Sequence, residues 1–157
     1  MDFTHLIEIN DPLNPLLQPL SRAQLWRGLV LRAEQPQLFL PHLDQCTILA
    51  RDADSLQREL RYGTILIRDR VLLLPQQQVQ YRVPAQADIP ESSLDMIIEE
   101  PQPDLLYVRF VYHDDDGAAR MSSTDGAAAQ AMYDDFRRSA YEEADIDTIR
   151  IVRTLAL

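Results

Sequence analysis

The chain has 157 residues, 46% of them hydrophobic, with one cysteine and a formal net charge of -10. That length suits one domain with a real core, and the composition is globular, not disordered. So acidic a surface repels phosphate backbones and anionic lipid, so no nucleic-acid partner is expected, and a single Cys46 excludes a disulfide framework or a multi-cysteine metal site.

"FTHLIEI" at 3–9 alternates and places Phe3, His5, Ile7 and Ile9 on one face of a first strand. The opening residues carry acids where a signal peptide needs a basic region and an apolar block, and no run nears the ~18 apolar residues of a membrane span. A cytoplasmic protein without membrane insertion is expected. "NDPLNPLLQP" breaks three times on proline and reads as a loop. Ser21, with Gln24 three residues on, has the spacing of a capping box. Trp26, Leu29, Val30 and Ala33 then recur at i, i+3, i+4 and i+7, one apolar helical stripe. Pro36 stops that helix, because the residue before a proline is pushed out of the α region. Leu38, Phe39 and Leu40 form a second helical stub, which Pro41 closes.

From Cys46 onward the period changes to two. Strands are predicted over 46–52, 55–62, 65–74, 78–84, 93–100 and 105–113, separated by turn chemistry such as "DADS", "GT" and "PQPD". Links this short demand antiparallel pairing. "HDDDGAARMSSTDG" at 113–126 is polar and predicted to be the least ordered internal segment. Thr124 or Asp125 can cap a last helix reaching about Val152, with Met132, Phe136, Ala140 and Ala144 as its inward row. No repeat or change of composition marks a boundary, so residues 1–157 are read as one domain.

This order places the chain in the α+β class: a curved antiparallel sheet of about seven strands wrapped around a long C-terminal helix. Two short helices after the first strand fill one mouth of the curve. The order, with "IN" at 9–10, "LSRAQLWRGLVLRAEQPQLFLP" at 20–41, "RELRYG" at 58–63 and the terminal helix, resembles the helix-grip fold. That is the fold of the SRPBCC superfamily: START, polyketide-cyclase and birch-pollen-allergen-like proteins. Within it the chain is most similar to the AtaL-like family of bacterial and fungal proteins. The resemblance implies a cavity between sheet and long helix, commonly used for apolar or aromatic small molecules. It implies no fixed catalytic set.

Arg58 is the most informative single position. It shares a strand row with Leu56, Leu60 and Tyr62, and Asp69 is the one polar residue in the row Ile65, Ile67, Val71, Leu73. If Gly63-Thr64 is a two-residue turn of type II′, Tyr62 faces Ile65, Leu60 faces Ile67 and Arg58 faces Asp69. The pair then reads as a buried ion pair fixing register, as a polar handle for a ligand, or as a solvent-facing pair. Tyr81 lies in the row of Val79 and Val83, while Leu106, Val108, Phe110 and Tyr112 form another inward row. Trp26, Phe39, Tyr133 and Phe136 from the helices could line the same space, contributing shape and stacking.

No catalytic constellation emerges. His5, His42 and His113 lie in separate segments without metal-ligand spacing, and no nucleotide or cofactor fingerprint is present. "HDDD" at 113–116 reads as a solvated acidic loop, and Cys46 as a small buried hydrophobe. The expectation is a binder of a small hydrophobic or aromatic molecule, with Arg58, Asp69 and Tyr81 as polar handles and no metal or cofactor. The alternative is a cyclase- or aromatase-like enzyme acting on polyketide-type or aromatic substrates. A third reading is an interaction module whose cavity is filled by its own side chains; an open interior argues against it.

Overall fold

The computed structural model describes residues 1–115 and 126–155. Twofold alternation becomes strands wherever it occurs: β1 (Asp2–Asn10), β2 (Gln45–Arg51), β3 (Ser55–Tyr62), β4 (Ile65–Leu74), β5 (Gln78–Val83), β6 (Ser92–Gln102) and β7 (Leu105–Asp114). All pair antiparallel in one curved sheet of order β1-β7-β6-β5-β4-β3-β2, with β1 and β2 at the edges. The short links dictate this order, because each strand can only turn back onto the one before it. The exception is β1, carried past the helical segment to pair with β7.

The β3–β4 hairpin has the predicted register: Tyr62 opposite Ile65, Leu60 opposite Ile67, Arg58 opposite Asp69. Gly63 takes a φ of 60° while Thr64 does not turn positive, as a type II′ turn requires. One rung of the inner face runs Phe3, Tyr112, Leu94, Tyr81, Val71, Leu56 across six strands. The next carries Met96 and Phe110, both fully buried.

Helix α1 (Arg22–Glu34) begins at the expected capping box. Ser21 accepts from the Gln24 backbone amide and the Gln24 side chain accepts from that of Ser21. Its buried stripe is Leu25, Gly28, Leu29, Arg32 and Ala33, so Trp26 and Val30 lie at its half-buried margin instead of its centre. Apolar residues occur almost all round this helix, and periodicity alone could not fix its rotation. The stub is a single 3-10 turn, Pro36–Leu38, with Pro36 at its start; Phe39 after it is buried while Leu38 is exposed. Asn10 fastens the loop before α1, donating to the Leu20 carbonyl and accepting from the Leu20 amide. That double bond is what the "IN" pair contributes.

Helix α2 (Gly126–Leu155) lies against the concave face through its second half. Tyr141, Asp145, Thr148, Ile149 and Val152 share its inward face. The predicted row is a correction: Met132 and Phe136 are 76% and 72% exposed and Ala140 is also exposed. At 100° per residue that row sits about 150° from the buried face. Packing of Val152 on Gly28 of α1, together with the bonds of Asp145, fixes the rotation instead. Arg153 then locks the helix end, donating to the carbonyls of Ile9 and Gln18 at 2.6 and 2.7 Å. The proposed caps Thr124 and Asp125, and the 116–125 part of the segment expected to be least ordered, fall outside the described residues. Among the described residues no helix is long and apolar enough to cross a membrane.

Candidate functional site

Between the concave sheet, α1 and α2 lies a cavity of about 350 Å³. Its lining joins aromatic and aliphatic side chains, Tyr62, Tyr81, Tyr112 and Tyr141 with Leu40, Val83 and Leu94, to the polar Arg32, Asp69, Ser92, Ser93, His113 and Asp114. Tyr112 and Tyr141 stack with ring centroids 4.0 Å apart and planes 11° from parallel, and Phe3 flanks both. Strand alternation delivers Tyr62, Tyr81 and Tyr112 to one side of the sheet, and helical spacing sets Tyr141 one turn before Asp145. A second depression of about 380 Å³ adjoins it, sharing Leu40, Tyr62 and Ala144 and adding Phe39, His42 and Glu143.

The Arg58–Asp69 pair sits at the inner wall, each side chain 3% exposed. Arg58 donates through Nε to Oδ1 (2.9 Å) and through Nη2 to Oδ2, while Nη1 reaches the Ala33 carbonyl of α1 at 2.8 Å. Burial works against the Arg58 charge, but the bonds to Asp69 and its negative charge prevail, and the guanidinium is held above its ordinary value. The planar fork meeting a carboxylate through two bonds is what makes the pair tolerable away from water.

A second buried arginine is differently placed. Arg32 of α1 is 8% exposed and lines the cavity. Its Nε donates to Thr148 Oγ1 (3.3 Å), whose own hydrogen goes to the Ala144 carbonyl. No ion pair joins Arg32 to a carboxylate among the described residues. Its guanidinium lies 5.3 Å from the centre of the Tyr81 ring, and that of Arg58 5.2 Å. The Tyr81 hydroxyl is buried without a hydrogen-bond partner among the described residues.

The third polar group is a chain of three. Tyr112 donates its hydroxyl to Asp145 Oδ1, and Asp145 Oδ2 lies 3.3 Å from His5 Nδ1. Burial pushes Asp145 up to about 6, against hydrogen bonds from Tyr112 and His5 that pull it down. Burial, and then the neighbouring Asp145 charge, holds the Tyr112 phenol far above its usual range, so it stays a proton donor. A buried carboxylate near neutrality, connected to the cavity wall by a tyrosine and outward by a partly exposed histidine, can accept or relay a proton.

Of the residues proposed from sequence, the structure brings Tyr62, Asp69, Tyr81 and Tyr112 together in the cavity wall. Arg58 stands behind Asp69, and Phe39 lines the adjoining depression. Leu60, Val108 and Phe110 are core, Ile67 and Trp26 half-buried beside it. Tyr133 is half-buried under the Arg137 guanidinium, and Phe136 points to solvent; neither lines the cavity. Arg32, Tyr141 and Asp145 were missed. Asp145 had a readable signal, an acid in the helical row Tyr141, Ile149, Val152; Arg32 had none, since the rotation of α1 was ambiguous. Burial raises the Cys46 thiol, in keeping with a half-buried inert side chain. Among the described residues no group of three His, Cys, Asp or Glu side chains could hold a metal ion.

A seven-stranded antiparallel sheet gripping a long C-terminal helix over a small wedge helix is the helix-grip fold. The family described as Acetylaranotin biosynthesis cluster protein L, AtaL, matches residues 7–157, and the chain belongs to that family. Among solved structures, the di-domain aromatase/cyclase StfQ from the steffimycin biosynthetic pathway superposes with a TM-score of 0.70 at 11% identity. That match covers 99% of this chain and 50% of StfQ, so the chain spans about half the length of that protein. The Zhui aromatase/cyclase from Streptomyces sp. R1128 gives 0.61 at 14% identity, covering 99% and 93% of the two chains. Human STARD10 gives 0.64 at 8% identity, covering 96% and 62%. Identities this low establish the fold alone. No curated protein matches the chain in sequence.

Proposed function

We propose that the protein binds a small hydrophobic or aromatic molecule in the cavity between the sheet and α2. The observation that carries this is the roughly 350 Å³ space walled by four tyrosines, onto which Arg32 turns an Nη edge that bonds no protein acceptor among the described residues. Ligand pockets of ~300–1,000 Å³ share this build: apolar walls with a few orienting polar groups. A module filled by its own side chains would leave no such space. Aromatic binding also suits the likeness in fold to the Zhui aromatase/cyclase and to StfQ of the steffimycin biosynthetic pathway.

Native mass spectrometry of the protein purified from its own cells tests the reading. A small-molecule adduct, released on denaturation, is the expected result. A bare polypeptide mass, combined with no fluorescence gain from the apolar dye anilinonaphthalene sulfonate, would overturn it.

A second reading, a cyclase- or aromatase-like enzyme, is favoured by one arrangement: the Tyr112–Asp145–His5 chain beside the cavity. In that case positioning in a dry pocket does most of the work, and Asp145 moves the proton through Tyr112 or His5. Conversion of the recovered ligand by wild-type protein, lost in Asp145→Asn, separates enzyme from carrier.

A further inference from the structure

Of three arginines around the cavity, two are bonded to carboxylates and, among the described residues, Arg32 is not. Asp69 is spent on Arg58 through two bonds, and Asp114, at the far wall, on Arg137 of α2. Asp145 has both oxygens engaged, one by Tyr112 and one facing His5. Glu143 and Asp147 belong to the adjoining depression and are exposed or half-buried. What is left is Arg32: more than nine-tenths buried, committed through Nε alone, with its two Nη groups free of any acceptor among the described residues.

The Arg32 guanidinium lines the cavity close enough to Asp145 to act on its charge without bonding to it, and its planar edge of N–H donors matches a carboxylate bidentately. The Tyr81 ring lies under the same guanidinium and holds that cation against an aromatic face. An Nη edge that opens onto the cavity and bonds no protein acceptor among the described residues suits an anionic oxygen ligand. The four tyrosine rings specify the rest of it.

We propose that the cavity takes an aromatic carboxylate, with its carboxylate on the Nη edge of Arg32 and its ring system among Tyr62, Tyr112 and Tyr141. This rests on the small-molecule-binding reading above and names the chemical class of its ligand. A cavity near the lower end of the usual size range holds an acid of one or two rings, not an extended chain. Thr148 positions the subsite, because its hydroxyl fixes Arg32 Nε while α2 fixes Thr148.

The test compares naphthoate with naphthamide, nearly equal in shape and differing in charge, by isothermal titration with the wild-type protein and with Arg32→Met. Wild type should bind naphthoate roughly ten- to a hundredfold tighter than naphthamide. Arg32→Met should abolish that preference by raising the naphthoate Kd to that of naphthamide, with an unchanged far-UV circular dichroism spectrum showing that the variant is folded. Equal binding of the two probes by wild type overturns the anion subsite but leaves the cavity reading standing, and needs no variant to decide it. A preference that survives Arg32→Met places the counter-ion elsewhere and also overturns the proposal. Failure of both probes to bind wild type at millimolar concentration goes against the cavity reading itself, and the subsite falls with it.

Discussion

Arg58 and Arg32 approach the Tyr81 ring at nearly the same distance, but one guanidinium is bonded to a carboxylate and the other to a hydroxyl. For Arg58 the consequence is structural. Asp69→Ala should cost on the order of 3 kcal/mol in urea unfolding, because a buried cation loses its partner. Arg58→Met combined with Asp69→Leu should cost less than either single change; additive losses would show the pair uncoupled. Asp145 makes a different demand. Its folded value of about 6 lies above the ordinary 3.8, so the folded chain keeps a proton that the unfolded chain has released. Its stabilising effect is full below about pH 4 and is lost as pH rises through about 6, roughly 3 kcal/mol in all. Asp145→Asn cannot ionise, so its Tm relative to wild type should climb across that window; a flat difference from pH 4 to 8 would refute the assignment. Arg58 and Asp69 were legible in the sequence because a strand has period two and a Gly-Thr turn fixes the opposing rung. Asp145 and Arg32 were not, because the inward side of a helix is set by what it packs on.

The same distinction governs whole elements. Every strand was recovered within two residues, since alternation, turn residues and short links all specify one arrangement. The α1–α2 contact was invisible in the sequence: a Cβ on Gly28 would sit 2.5 Å from Val152 Cγ1 and 2.7 Å from Cγ2. Gly28→Ala should therefore destabilise by about 1–3 kcal/mol, although alanine favours a helix by up to ~1 kcal/mol over glycine. Val152→Ala in the same chain should recover most of that loss; independent, summed costs would mean that the helices do not meet there. On α2 the rotation predicts its own contrast. Replacing exposed Met132 and Phe136 by glutamine should change stability by no more than about 0.5 kcal/mol, whereas Ile149→Ala, in the core cluster, should cost about 2–5 kcal/mol. A large penalty at Phe136 would mean that the row read from sequence is the buried one after all.

Across the whole molecule, burial is concentrated where three layers meet. The strands β1, β7, β6 and β5 form the wall against which the second half of α2 and the stripe of α1 pack. Edge strand β2 has no buried residue and hydrogen-bonds on one side only, to β3. The described part of α2 before Tyr141 likewise buries none of its side chains fully. This asymmetry follows from the fold: a sheet that curves around a helix leaves one mouth open, and a cavity needs walls that do not collapse onto each other. Local opening costs least where few apolar contacts must be broken. Amide hydrogen exchange should thus divide the chain into two classes. Amides of β5–β7 and of α2 from Tyr141 to Val152 should exchange only by global unfolding, with a free energy equal to that from urea. Those of β2 and of α2 before Ala140 should exchange by smaller openings, faster by at least about a hundredfold. Occupying the cavity should leave the second class unchanged, because no described residue of β2 or of α2 before Ala140 lines the cavity or the adjoining depression. Uniform protection of both classes would instead mean that the exposed mouth is held by contacts that burial does not reveal, and that sheet and helix open as one unit.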